Sequence, residues 1–172
     1  AWAITWAGHF LAESVDMIDS LRGIWSVDVY LSPAASEVLA MYGLAERVRN
    51  ASSEKGRSFP ESSKFSVGRY DALVISPATG NTVAKCAGGI ADSLVSCMFA
   101  QAGKSRVPIC VLPTDVSSEM ETTAPDGSRV MVYPRRLDLN LCAALEEIDG
   151  VTVVSSPGEL RRWITGLETL SS

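Results

Sequence analysis

Histidine is nearly missing from these 172 residues: His9 stands alone, which all but excludes a histidine-rich metal site within one chain. The four cysteines, Cys86, Cys97, Cys110 and Cys142, lie 11, 13 and 32 residues apart with no CxxC pair. That spacing fits neither zinc nor an iron–sulfur cluster, and reduced, buried thiols of a cytoplasmic protein are expected. A basic excess is lacking too. Fifteen Lys plus Arg against 20 Asp plus Glu give a net charge of −5, which argues against a nucleic-acid backbone as partner. No apolar run approaches the ~20 residues of a membrane span, and no signal peptide opens the chain. Ala1 has no methionine before it, so a short preceding stretch is expected. Neither GxGxxG nor GxxxxGK[ST] occurs, which leaves a dinucleotide fingerprint or a P-loop without support. What is present is a 47% hydrophobic, 20% charged chain, able to bury the core of a single domain over 1–172.

Apolar runs alternate with helical patterns throughout, the mark of an open parallel α/β sheet. Trp2–Trp6 reads as a strand ending at Ala7-Gly8-His9, and Phe10–Arg22 as a helix. Trp25–Leu31 reads as the second strand, followed by a short helix from Ser32-Pro33 through Met41. Residues 50–68 form a long polar surface excursion. Tyr70–Ser76 is expected as a buried central strand, Thr82–Gln101 as the longest helix and Val107–Leu112 as the next strand. A second excursion covers Thr114–Ser128, with a turn at Ala124-Pro125-Asp126-Gly127. Val130–Tyr133 is extended, Leu137–Ile148 helical, Val151–Val154 a strand and Glu159–Leu167 a helix.

In such sheets ligands gather at the carboxyl ends of the strands, where loops pass into helix N-termini. Four exits are small or hydroxylated: Ala7-Gly8-His9, Ser32-Pro33-Ala34-Ala35-Ser36, Ser76 through Thr82, and Pro113-Thr114-Asp115. Free backbone N–H groups there bind an anion without lysine. At the third exit, Asn81 or Thr82 is expected to cap the long helix. That helix carries two apolar stripes, one through Val83, Ala87, Ile90, Leu94 and Met98. Its circumference is therefore mostly apolar, as for a helix buried on more than one side. Gly88 and Gly89 inside it would cost roughly 1 kcal/mol each, which suggests close approach at a subunit interface. Asp92 falls on its surface or at such an interface.

Ser76-Pro77-Ala78-Thr79-Gly80-Asn81-Thr82, running on to Asp92, resembles the PASANT-type motif of the homo-oligomeric flavin-containing cysteine decarboxylase superfamily. Thr5-Trp6-Ala7-Gly8-His9, Leu31-Ser32-Pro33-Ala34-Ala35 and Val111-Leu112-Pro113-Thr114-Asp115 follow in the family's order, so the resemblance spans nearly the whole chain. It is strongest to the archaeoflavoprotein and dihydromethanopterin reductase branch. The resemblance implies a three-layer, doubly wound parallel sheet of Rossmann-like kind, with flavodoxin-like strand order as one form. It also implies FMN held at subunit contacts within trimers, and trimers assembled into larger closed shells. The FMN role carries over to Gly8, His9, Phe10 and Ser32 for the phosphate and ribityl chain. Pro77, Ala78, Thr79, Asn81, Thr82, Pro113, Thr114 and Asp115 would meet the ring.

Departures from the family's pattern bear on the reaction. Decarboxylase members carry a catalytic histidine before the third strand, where this chain reads Glu61 to Gly68 without one. They also carry a Pro-x-Met-Asn clamp, where this chain reads Pro113-Thr114-Asp115-Val116. The resemblance therefore implies an FMN-dependent oxidoreductase that reduces dihydromethanopterin at a C=N bond, with electrons from a separate donor. An FMN-dependent decarboxylase or prenyltransferase, or a flavin carrier without turnover, is the alternative. His9 either contacts the phosphate, serves as a catalytic proton donor, or packs against the next helix. Arg135 and Arg136 either neutralise an anion or are solvated. The excursions at 50–68 and 115–128 are candidates for gating the pterin.

Overall fold

The computed structural model describes residues 1–54 and 59–170. Residues 55–58, part of the excursion expected over 50–68, lie outside the described residues. Six strands form one parallel sheet: β1 (Trp2–Ile4), β2 (Val29–Leu31), β3 (Ser52–Ser53), β4 (Leu73–Ala78), β5 (Ile109–Pro113) and a last strand at Val151–Val153. Between them β6 (Met120–Thr123) and β7 (Arg129–Val132) make a separate antiparallel hairpin, which leaves Val151–Val153 as β8. The sheet order is β3-β2-β1-β4-β5-β8. Without the two-residue edge strand β3 this is the flavodoxin-like order, and with it the Rossmann-like order.

Helices cover both faces. One core packs α1 (Leu11–Leu21), α2 (Ala35–Met41) and a C-terminal helix at Pro157–Leu170 against Trp2, Ile4, Val74, Cys110 and Leu112. The other packs α3 (Gly80–Ala87), α4 (Leu94–Lys104) and α5 (Arg136–Glu146) against Ala3, Tyr30, Leu73, Ile75 and Val111; the C-terminal helix is α6. Alternation along β1, β4 and β5 sends successive side chains to opposite cores. Central strands apolar on both faces, such as the wholly buried Leu73–Ala78, belong inside a parallel sheet. Among the described residues no helix is long and apolar enough to cross a membrane.

Three expectations are corrected. The helix expected over Thr82–Gln101 is two helices, because Gly88 ends α3 and Gly89 adopts a left-handed φ of 70°. Ser93 then starts α4 with a reciprocal capping box to Ser96. The glycine pair is a helix stop and restart, so its cost within a helix disappears and no interface is needed to explain it. Ile90 and Ala91, expected in buried stripes, are exposed in the joint. The cap of α3 is Thr79, whose hydroxyl accepts from the Thr82 N–H; Asn81 and Thr82 already lie inside the helix. Third, the excursion at Thr114–Ser128 is largely ordered as the first strand and turn of the β6–β7 hairpin. The Asp126 carboxylate fixes that turn by accepting from the Ser128 N–H and hydroxyl.

Candidate functional site

The four exits come together at the carboxyl end of the sheet because β2, β1, β4 and β5 are adjacent and parallel. Thr5 joins two of them. Its buried hydroxyl donates to the Pro77 carbonyl and accepts from the Thr79 N–H, both at 2.9 Å. The Ser32 N–H donates to the Ile4 carbonyl at 3.0 Å, and the Thr114 N–H to the Ala78 carbonyl at 2.9 Å. Each loop is thus hydrogen-bonded to its neighbour.

The first exit makes the clearest cradle. Phe10 stands at the N-cap of α1 with a left-handed φ of 62°, and no side chain caps that helix. Its ring contacts His9, with centroids 3.8 Å apart. A left-handed φ at a non-glycine residue is costly and persists only where the surrounding structure holds it. Uncapped N–H groups at a helix start favour an anion. Gly8 leaves room for Tyr42: a methyl there would stand 2.1 Å from the Tyr42 hydroxyl and force it aside. Tyr42 in turn donates to the Thr123 carbonyl at 2.8 Å, which ties the hairpin over the cradle. The resulting cavity of about 490 Å³ is lined by Gly8, His9, Phe10, Met41, Tyr42 and the 121–125 strand end. Burial holds His9 below its ordinary value, against the opposing pull of Glu13 and Asp115.

At the third and fourth exits Gly80 brings two acids together. A methyl on Gly80 would lie 2.8 Å from Asp115 Oδ2 and 3.4 Å from Asp138 Oδ1. Asp138 accepts from the Arg135 N–H, Nε and Nη2, and this pairing holds its carboxyl below the usual range. Asp115 is half-buried, and burial first, then the Asp138 charge, raises it. Arg135 is therefore engaged by Asp138 within its own helix turn, while Arg136 stays exposed. Asp92, also exposed, pairs with Lys85 at 2.7 Å across the α3–α4 joint.

Gly8, His9, Phe10, Ser32, Pro77, Ala78, Thr79, Asn81, Thr82, Pro113, Thr114 and Asp115 thus all lie on these adjoining exits. They are not equally available. Ala78 and Pro113 are buried strand ends, Thr79 and Thr82 bond each other, and Asn81 is exposed. Thr5, Tyr42, Gly80 and Asp138 were missing from the candidates. A glycine directly after a buried strand was a usable signal for Gly80; nothing local marks Tyr42, whose role depends on the distant Thr123. A second cavity, about 300 Å³ among Trp2, Trp25, Asp28 and Tyr70, lies at the opposite end of the strands.

Dihydromethanopterin reductase (acceptor) of Methanosarcina mazei is 41% identical over 160 residues, covering 85% of this chain. The chain spans only 63% of that reductase's length. Burkholderia xenovorans DmrB in complex with FMN, a cubic protein cage for redox transfer, is 35% identical. It superposes with a TM-score of 0.88 over 99% of this chain and 96% of its own. Phenylacrylic acid decarboxylase of Aquifex aeolicus, 22% identical with a TM-score of 0.63 over 90% of this chain and 78% of its own, shares the fold. The Flavoprotein family profile matches residues 1–167, and the chain belongs to the Flavoprotein family.

Proposed function

We propose that this chain is one FMN-binding unit over 1–172 and works as an FMN-dependent oxidoreductase. It would reduce dihydromethanopterin to tetrahydromethanopterin with electrons from a separate donor. The observation that carries this reading is the pairing of 41% identity to a dihydromethanopterin reductase with an uncapped, glycine-based cradle at the head of α1. Bound FMN would supply hydride chemistry on a flat ring, which no side chain provides. Gly8, His9, Phe10 and Ser32 would hold its phosphate and ribityl chain. For the phosphate, the N–H groups of Ala12 and Glu13 in the first turn of α1 would supply partial positive charge, so the net charge of −5 is no obstacle. His9, held largely neutral by burial, would add a hydrogen bond.

Pro77, Ala78, Thr79, Asn81, Thr82, Pro113, Thr114 and Asp115 would face the ring side. There the Thr5 and Thr79 hydrogen bonds fix the backbone, so few loop motions must be frozen on binding. The β6–β7 hairpin, tied by Tyr42 to the cradle, would exclude water. We further infer a cytoplasmic homo-oligomer built from trimers, extending to a closed shell; the cage described for DmrB supports this. The donor would be a flavin- or iron–sulfur-type protein or a soluble reductant.

A visible spectrum of the purified protein, followed by anaerobic assay with dihydromethanopterin and dithionite, tests the reading. The expected result is a yellow protein that reduces the pterin faster than free FMN does. A colourless protein that takes up no added FMN, or a yellow one no faster than free FMN, would refute it.

A further inference from the structure

Two carboxylates meet against the first turn of α3, and among the described residues only one of them pairs with a cation. Gly80, lacking a side chain, lets Asp115 and Asp138 close on the same spot. Asp138 takes the Arg135 guanidinium at 2.7 Å and 2.9 Å. Asp115 forms no ion pair among the described residues, and its carboxylate accepts only the Thr114 hydroxyl, at 3.4 Å. The other groups facing it are His9 from the loop after β1, Arg135 beyond Asp138, and the Cys142 thiol of α5. Glu146 and Glu159 share with it a groove of about 480 Å³, walled by Pro113, Leu139 and Val153. Half-buried, beside a like charge and without a cation, Asp115 is the carboxyl of the pair that keeps its proton most readily. Two adjacent acids driven apart in this way divide the roles of base and acid.

We propose that Asp115 is the acid that protonates the ring nitrogen as the C=N bond of the reduced pterin is reduced. This rests on the reading of the preceding subsection. When the carbon of that bond accepts hydride, the C=N π pair moves onto nitrogen, which must then bind a proton. Asp115 gives its O–H proton to that nitrogen and is left as a carboxylate, which water reprotonates before the next turnover. The electrons of the hydride are those the separate donor supplied.

The test uses the FMN-loaded enzyme and Asp115→Asn. The kcat for dihydromethanopterin should fall roughly 100-fold or more. Oxidation of the reduced variant by ferricyanide, which takes electrons without a proton, should fall far less than pterin reduction does. Wild-type kcat should fall as pH rises through the Asp115 carboxyl, and that limb should vanish in the variant. Apart from turnover, infrared spectra at mildly acidic pH should show a protonated-carboxyl band with and without FMN, absent from Asp115→Asn. If wild type reduces the pterin and the variant keeps more than about a third of its kcat, the assignment of Asp115 is overturned and the function stands. An equal loss toward ferricyanide overturns it as well, since that marks a positioning effect. If wild type reduces no pterin, the function falls and this assignment with it. Should the variant fail to fold, a wild-type kcat that does not decline with rising pH overturns the proposal.

Discussion

Replacing Gly8 by alanine tests the cradle most directly. The added methyl would stand 2.1 Å from the Tyr42 hydroxyl oxygen, 2.7 Å from Cζ and 3.1 Å from Cε2, against an ordinary contact of at least 3.4 Å. The hydroxyl end of the ring must therefore swing aside by more than 1 Å. It cannot do so and keep its 2.8 Å bond to the Thr123 carbonyl. Overpacking costs about 1–3 kcal/mol. The low end applies here, because the obstructing atom is the tip of a half-buried side chain. Loss of the hydrogen bond adds about 0.5–1.5 kcal/mol, again at the low end because it is exposed. Urea unfolding should thus show a loss of about 1–2 kcal/mol. FMN affinity, read by quenching of flavin fluorescence, should weaken at least about tenfold, equivalent to roughly 1.4 kcal/mol. The double variant Gly8→Ala, Tyr42→Ala removes the obstruction, so its stability should lie above the sum of the single losses. Unchanged stability together with unchanged FMN affinity in Gly8→Ala would show that Tyr42 does not close the cradle.

Other predictions follow from the corrected caps and the buried groups. Thr79→Ala should destabilise by about 1 kcal/mol through loss of the α3 cap. Asn81→Ala, at an exposed position, should stay within about 0.5 kcal/mol of wild type while weakening FMN binding; unchanged affinity would remove Asn81 from the site. Asp138 is depressed by Arg135, so it contributes stability above the ordinary carboxylate range that is lost as pH falls through its folded value. The stability gap between wild type and Asp138→Asn should therefore be open at neutral pH and close in acid, and a gap independent of pH would contradict the pairing. Burial pushes the Cys86 and Cys110 thiols up to about 12. At pH 8 roughly one in ten thousand of each would be thiolate. Both should resist iodoacetamide, read by mass spectrometry, until the protein unfolds, and labelling at native-like rates would show otherwise.

The parallel α/β architecture was legible because its evidence is local. Apolar runs such as Leu73–Ile75 and Ile109–Leu112 are of strand length and read as central strands, and Phe10–Arg22 carries its own helical period. The four exits were legible for the same reason: small and hydroxylated residues follow directly on buried runs. Periodicity failed at Gly88-Gly89, since apolar residues on both sides keep a helical rhythm across the break. The Ser93–Ser96 box that restarts the helix was the overlooked signal. The cap fell at Thr79 because β4 extends to Ala78, two residues beyond the expected strand end, and this extension depends on pairing with β5.

The chain by itself determined which residues lie at strand ends and which are hydroxylated, small or acidic, because these are properties of short segments. Tertiary structure decided which exits adjoin and which side chain crowds Gly8. It also decided which of two aspartates is paired with arginine. Tyr42 meets Thr123 across 81 residues, and Asp115 meets Asp138 over Gly80 from separate elements. Such contacts depend on sheet order and helix placement, and hence on the packing of the whole core, which no local pattern encodes.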